Sequence, residues 1–167
     1  MNTKKLLFQE AEAFVSVLTS AAVSLLERGT SIIVATTDSD GRPFACRAWA
    51  VDVVDEGIRV LMPSDETIAF ANLTETRRYA LNACDVRTLE SVQVKGVLVR
   101  IEEESAADRR RAGRHVDEFA HEIHDTDGFD EGVIKRMVHS EYVPVVLTVE
   151  ELWDQTPGPN AGSAITV

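Results

Sequence analysis

Ser31-Ile32-Ile33-Val34-Ala35-Thr36-Thr37, Asp38-Ser39-Asp40-Gly41-Arg42-Pro43, Phe44-Ala45-Cys46-Arg47-Ala48-Trp49-Ala50-Val51-Asp52-Val53-Val54, Asp55-Glu56-Gly57 and Ile58-Arg59-Val60-Leu61-Met62 follow one another without a break. Three runs rich in β-branched and apolar residues are separated by two clusters of turn formers. Asp and Gly accept the backbone conformations that tight hairpin turns require. The stretch therefore predicts a β-meander. Strand side chains alternate between faces, so a continuous middle strand puts Arg47 on the face of Trp49, Val51 and Val53. A cation at the end of an apolar face is a first pointer to an anionic ligand.

Working outward, residues 4 to 28 predict a helix, because Leu7, Ala11, Phe14, Val15, Leu18, Ala22 and Leu25 recur at three- and four-residue spacing. Thr19-Ser20 is a candidate break, and Gly29 a candidate C-terminal cap. After the meander, Ser64 or Asp65 is a candidate N-cap for a short helix from Thr67. Tyr79 to Cys84 predicts a fourth strand and Thr88 to Glu102 a long fifth. On the fifth, Gln93 and Lys95 continue the face of Val97, Val99 and Ile101, unless a bulge at Gly96 swaps the faces. Residues 105 to 123 predict a polar helix with Ser105 as N-cap, its charges forming a solvated face. A short helix over Glu131 to Val138 and a last strand over Tyr142 to Glu150 complete the pattern. One domain over residues 1–167, α+β and mainly β, is expected: an antiparallel barrel of about six strands with covering helices, residues 105–138 forming a helical insertion.

Composition bounds the function. The net charge of −11 disfavours nonspecific binding to nucleic acid or to an anionic membrane. No apolar run is long enough to span a bilayer, and the first residues lack the apolar core of a signal peptide, so a cytoplasmic location is expected. Cys46 and Cys84 fall within strands, where a reduced cysteine behaves as a small hydrophobe. His115, His121 and His124 share the polar helix without a neighbouring thiolate, and a solvated helix is favoured over a metal site. Neither a P-loop, nor G-x-G-x-x-G, nor Gly-x-Ser-x-Gly occurs.

Two places carry candidate chemistry. Arg47 with Trp49 can meet an anion through forked hydrogen bonds. Gln93 with Lys95 can bond the polar edge of a planar ring. Free backbone N–H groups between Ser64 and Thr67 add a second anion-binding element. Together these fit a phosphorylated aromatic cofactor. Each also has a plain structural reading: Arg47 pairing with a carboxylate at the core edge, Lys95 reaching solvent.

The sequence resembles the pyridoxamine 5′-phosphate oxidase-like family of FMN-binding split β-barrels. The resemblance rests on Ala35 to Pro43, on Cys46-Arg47-Ala48-Trp49, on Thr88 to Gly96, and on Glu151-Leu152-Trp153-Asp154-Gln155-Thr156-Pro157-Gly158-Pro159. It implies a homodimer with FMN at the subunit interface and a small-molecule substrate. Arg47 would meet the FMN phosphate, with Ser64 and Thr67 at the same end. Ala48 and Trp49 would border the flavin through their backbone. Gln93 would face the isoalloxazine with Lys95 nearby, and Trp153 would reach the partner subunit's flavin.

The chain departs from the family's pattern at three points. A lysine five residues after the arginine is replaced by Asp52, and Ser-Arg-Lys by Glu66-Thr67-Ile68. Charge-assisted hydrogen bonds contribute roughly 1.5–3 kcal/mol each, so these losses thin the phosphate site. The C-terminal Arg-x-His element that holds the vitamin substrate is missing, which argues against vitamin B6 oxidation. A flavin-dependent oxidoreductase is the leading expectation. A deazaflavin-dependent reductase and a non-enzymatic barrel binding flavin, haem or another small ligand are the alternatives. For haem, His115, His121 or His124 would have to approach a cleft.

Overall fold

The computed structural model describes residues 17–136 and 138–166. Within them the elements run α1 (Ser20–Glu27), β1 (Ser31–Thr37), β2 (Pro43–Ala48), β3 (Val51–Val54), β4 (Gly57–Pro63), α2 (Thr67–Thr76), β5 (Arg78–Cys84), β6 (Ser91–Ile101), α3 (Ala106–Asp127), α4 (Glu131–Arg136), β7 (Tyr142–Leu147), β8 (Glu151–Asp154) and β9 (Ser163–Ala164). All strand pairs are antiparallel, in the order β2-β1-β5-β6-β7-β4-β3, with β8 on β6 and β9 on β8. This is the α+β split barrel expected from the sequence.

The long strand β6 does the splitting. Residues 91–97 pair with β5, and residues 92–95 also pair with β8. Its far end, from Leu98 to Ile101, crosses to β7, with a register irregularity between Leu98 and Arg100. The buried and half-buried alternation runs through Gly96 unchanged, so the faces do not swap there. Gly96 is required for another reason: a Cβ would lie 2.2 Å from the Thr148 carbonyl oxygen.

The predicted middle strand is two strands. Trp49 and Ala50 leave the ladder of β2 and bond to β4 instead, Trp49 N–H to the Leu61 carbonyl and Leu61 N–H to that of Ala50, each at 2.9 Å. The corner changes the facing. Trp49 stays on the side of Arg47, while Val51 enters the main core with Ala48, and Val53 packs against it. The continuous alternation expected across Val51 and Val53 fails because two consecutive buried residues occupy the bend.

Two apolar clusters result. The larger holds Leu26, Ile32, Ile58, Met62, Leu73, Leu81 and Leu147 inside the barrel. The smaller gathers Trp49, Leu61, Ala112, Val116, Phe119 and Tyr142 under α3. That helix is polar but docked. Ser105 caps it as the sequence predicts, and the Asp108 side chain completes a capping box. Asp108 is 5 % exposed and pairs with Arg59, which also bonds Glu102 at 2.7 Å. Arg111 bonds Asp52 at 2.7 Å and the Val51 carbonyl at 2.9 Å. The expected wholly solvated face is therefore corrected: three charged or titratable side chains of α3, Asp108, Arg111 and His115, turn toward the barrel.

The N-terminal helix expected over residues 4–28 lies partly outside the described residues. Within them Thr19 caps α1, accepting from Ala22 N–H at 3.1 Å, and Arg28 ends it. Gly29 is not a left-handed cap. A Cβ there would meet that of Glu118 at 2.4 Å, so it admits the close passage of α3. The expected cap at Ser64 or Asp65 falls at Glu66, whose side chain makes no capping bond.

Candidate functional site

A single lateral row crosses the sheet. Arg47 on β2 faces Ile33 on β1, Ile33 faces Asn82 on β5, Asn82 faces Gln93 on β6, and Gln93 faces Trp153 on β8. Directly opposed residues point to the same side of a sheet, so these side chains share the face turned away from the main core. Their core-facing neighbours Ile32, Val34, Leu81, Val92 and Val94 are buried. The next row on the same face is Ala45, Ala35, Ala80, Lys95 and Glu151. Small residues make its centre low.

At one end of this face Lys95 lies over the Trp153 ring, 4.7 Å from its centroid. Glu151 completes the group, 3.6 Å from Lys95 Nζ and accepting from Trp153 Nε1 at 2.8 Å. Gln93 and Asn82 adjoin it, half-buried and without side-chain partners among the described residues. Asn82 was not singled out from the sequence; its signal is a carboxamide at an outward position of a strand otherwise filled by alanines and apolar residues.

At the other end, three inter-strand steps from Gln93 or roughly 14 Å by sheet spacing, stands Arg47. Its guanidinium lies 5.4 Å from the Trp49 ring centroid and 4.9 Å from that of Phe119. Among the described residues no carboxylate comes within ion-pair distance of it. The plain reading, a pairing at the core edge, is therefore not what these residues show. Burial lowers its pKa from the ordinary arginine value.

Arg47 and Trp49 line a cavity of about 280 Å³ with Pro63, Phe119, Ile123 and Ile134, and with Glu66 and His139. Trp49 is 4 % exposed, and its indole N–H has no acceptor among the described residues. The helical wall was legible only as a narrow apolar stripe on α3. Gln93, Lys95 and Trp153 do not line this cavity. The eight predicted residues thus fall in four places: Arg47 and Trp49 at this cavity, Gln93, Lys95 and Trp153 at the far end of the sheet face, Ala48 in the barrel, and Ser64 and Thr67 on the surface at the start of α2. Ala48 is buried in the core opposite Ile32. Ser64 is exposed and donates its backbone N–H to the Glu141 carbonyl at 3.1 Å. Thr67, also exposed, opens α2; its N–H donates to the Asp65 carbonyl at 2.8 Å and that of Glu66 to the Pro63 carbonyl at 3.3 Å, so the N–H groups expected to be free between Ser64 and Thr67 are mostly taken by the turn.

The histidines are placed apart. His115 is 1 % exposed, and its Nδ1 has no partner among the described residues. Burial, then the charge of Arg111, pushes its pKa down to about 4. His121 lies outside, near Asp125 and Glu131, and His124 Nδ1 meets the Phe129 carbonyl at 2.9 Å. His139 pairs with Asp65 at 3.2 Å. Among the described residues no three His, Cys, Asp or Glu side chains are grouped to hold a metal ion, and no helix is long and apolar enough to cross a membrane. Cys46 is buried, and its thiol is pushed up to about 12 by burial and by Glu66, which makes it inert at neutral pH.

No family model matches the chain, and no curated protein matches it. Solved structures do. An F420 reductase is 18 % identical over 81 % of this chain and 98 % of its own, with a TM-score of 0.54. A candidate pyridoxamine 5′-phosphate oxidase from Lactobacillus delbrueckii is 19 % identical over 83 % of this chain and 94 % of its own, at 0.52. HupZ from Group A Streptococcus is 18 % identical over 87 % and 99 %, also at 0.52. These likenesses establish the fold.

Proposed function

For a chain with the split-barrel fold of the pyridoxamine 5′-phosphate oxidase-like proteins, we propose a flavin-binding homodimer that acts as a small oxidoreductase. The observation that carries this reading is the lateral row Arg47–Ile33–Asn82–Gln93–Trp153 on the half-exposed face of the sheet. A second copy laid on that face would cover the low alanine rows. The isoalloxazine would lie against Gln93, whose carboxamide can both donate to and accept from its polar edge. Lys95 stands beside it, and the partner's Trp153 would close the ring site. A bound flavin would supply the redox chemistry; this chain would supply position and electrostatics. The substrate is a small molecule.

The residues fit the ring better than the phosphate. Arg47, Ser64, Thr67 and the uncapped start of α2 are the phosphate end that the family resemblance implies. One guanidinium stands there, with Glu66 in the same cavity lining. Asp52 replaces the expected second cation and is held by Arg111. That thinness favours a second reading, a cofactor with a flavin-like ring and a different tail, such as a deazaflavin.

Visible absorption of the purified protein, and its melting temperature with FMN, riboflavin or a deazaflavin added, test the proposal. Binding raises the melting temperature by mass action. FMN and riboflavin are expected to give nearly equal shifts, since the phosphate adds little. Colourless protein that no flavin stabilises would reject the reading.

A further inference from the structure

We infer that the cavity between the Trp49 corner and helices α3 and α4 is a site for a small monocarboxylate with a flat apolar body, and not for the phosphate of a flavin. This goes beyond the cofactor reading and does not depend on it.

Three observations converge. The first is the charge of Arg47, faced by two aromatic rings and by no carboxylate within pairing distance among the described residues. A guanidinium presents two parallel N–H donors that match the two oxygens of a carboxylate. The second is the indole N–H of Trp49, a residue of the same cavity lining, buried and without an acceptor among the described residues. Leaving a buried donor unmade is costly, and a ligand oxygen beside Arg47 would satisfy it. The third is the wall itself. Phe119, Ile123, Ile134 and Pro63 offer an apolar surface, and about 280 Å³ is at the small end of ligand sites.

The count of charges selects the head group. Arg47 neutralises one negative charge. Arg111 is engaged elsewhere, with Asp52, the Val51 carbonyl and the Glu27 carbonyl, and the His139 ring in the cavity lining meets Asp65 at 3.2 Å. Glu66 lines the cavity and repels a dianion. A monoanion is tolerated where a phosphate is not.

The chain has two tryptophans, which makes the test direct. The Trp153 indole N–H already donates to Glu151, whereas that of Trp49 has no acceptor among the described residues. In ¹⁵N–¹H spectra of the full-length protein, the two indole signals are assigned with Trp153→Phe. Benzoate, phenylacetate, benzyl alcohol and inorganic phosphate are then titrated into the unmodified protein. The expected result is a saturable downfield shift of the Trp49 signal with at least one acid, at least tenfold tighter than with the alcohol, and no saturable shift with phosphate. Arg47→Gln should abolish the preference for acid over alcohol. Ile134→Phe, which narrows the cavity without touching a charge, should weaken every response while the protein remains folded by its spectrum. No response to either acid, tighter binding of phosphate, or an acid preference that survives Arg47→Gln would overturn the proposal. Flavin absorption, read separately, reports on the cofactor reading alone.

Discussion

Arg111 and Asp52, 59 residues apart in sequence, meet at 2.7 Å from Nε to Oδ1. The pairing ties the middle of α3 to β3, and the same guanidinium holds the carbonyls of Val51 and Glu27. It also explains why Asp52 is no loss to the fold. The carboxylate anchors the helical insertion over Trp49 and so places Phe119 in the wall of the Arg47 cavity.

Arg111→Gln should therefore destabilise the protein. The side chain is 15 % exposed, and hydrogen bonds to charged groups contribute roughly 1.5–3 kcal/mol. A loss of about 2 kcal/mol in chemical unfolding is expected. The accompanying change should be a weaker contact of α3 with the barrel, read as faster amide exchange in α3 and unchanged exchange in β5.

Asp108 sets an acid limit. Its bond to Arg59 and those from Ser105 hold its pKa down to about 2, below the ordinary 3.8. A depressed carboxyl stabilises the fold fully above its unfolded pKa and loses that contribution as pH falls toward the folded value. The unmodified protein should lose about 2 kcal/mol of stability between about pH 4 and pH 2 from this group. Asp108→Asn should start less stable and show a shallower decline across that window.

His115 acts in a different window. Burial keeps it neutral, with a pKa of about 4 in the folded state against 6.5 ordinarily. Between these values the unfolded chain takes up a proton that the folded chain refuses, so stability falls as pH drops from about 6.5 to about 4, by about 3 kcal/mol. His115→Gln should flatten this segment of the stability curve and leave the Asp108 segment below pH 4 in place. Unfolding curves at half-unit pH intervals separate the two.

The dimer is tested at Ala80. It sits at the centre of the low row, between Ala35 and Lys95, on the half-exposed face. An arginine there is accommodated by a lone chain and collides with a partner laid on the face. Ala80→Arg is expected to elute as a folded monomer where the unmodified protein is a dimer, measured by light scattering. A dimer that persists in this variant would place the contact elsewhere.

Much of this architecture could be read from the residues. Asp38 to Pro43 and Asp55 to Gly57 announce their turns, and Ser105 with Asp108 announces a helix start, because each acts on its own backbone. The corner at Trp49–Ala50 was hidden, since every residue from Ala48 to Val51 is apolar and buried and the pattern carries no polar mark of a bend. The docking of α3 was hidden for the opposite reason. Asp108 and Arg111 are charged, and only partners distant in sequence, Arg59 and Asp52, make their burial tolerable. Arg47, Trp49, Gln93 and Lys95 were visible as candidates. That Arg47 and Gln93 lie in one row needed the registers of four strands, which depend on contacts far apart in the chain.

A flavin ring seated on this row, on the face between two copies of the chain, unites the proposed cofactor site with the proposed dimer. An equilibrium titration with FMN, followed by the visible absorption of the flavin, tests it for the unmodified protein and for Gln93→Ala. A saturable spectral change with one flavin per chain is expected, weakened at least tenfold in Gln93→Ala. No saturable change, or the same affinity in both proteins, would contradict it.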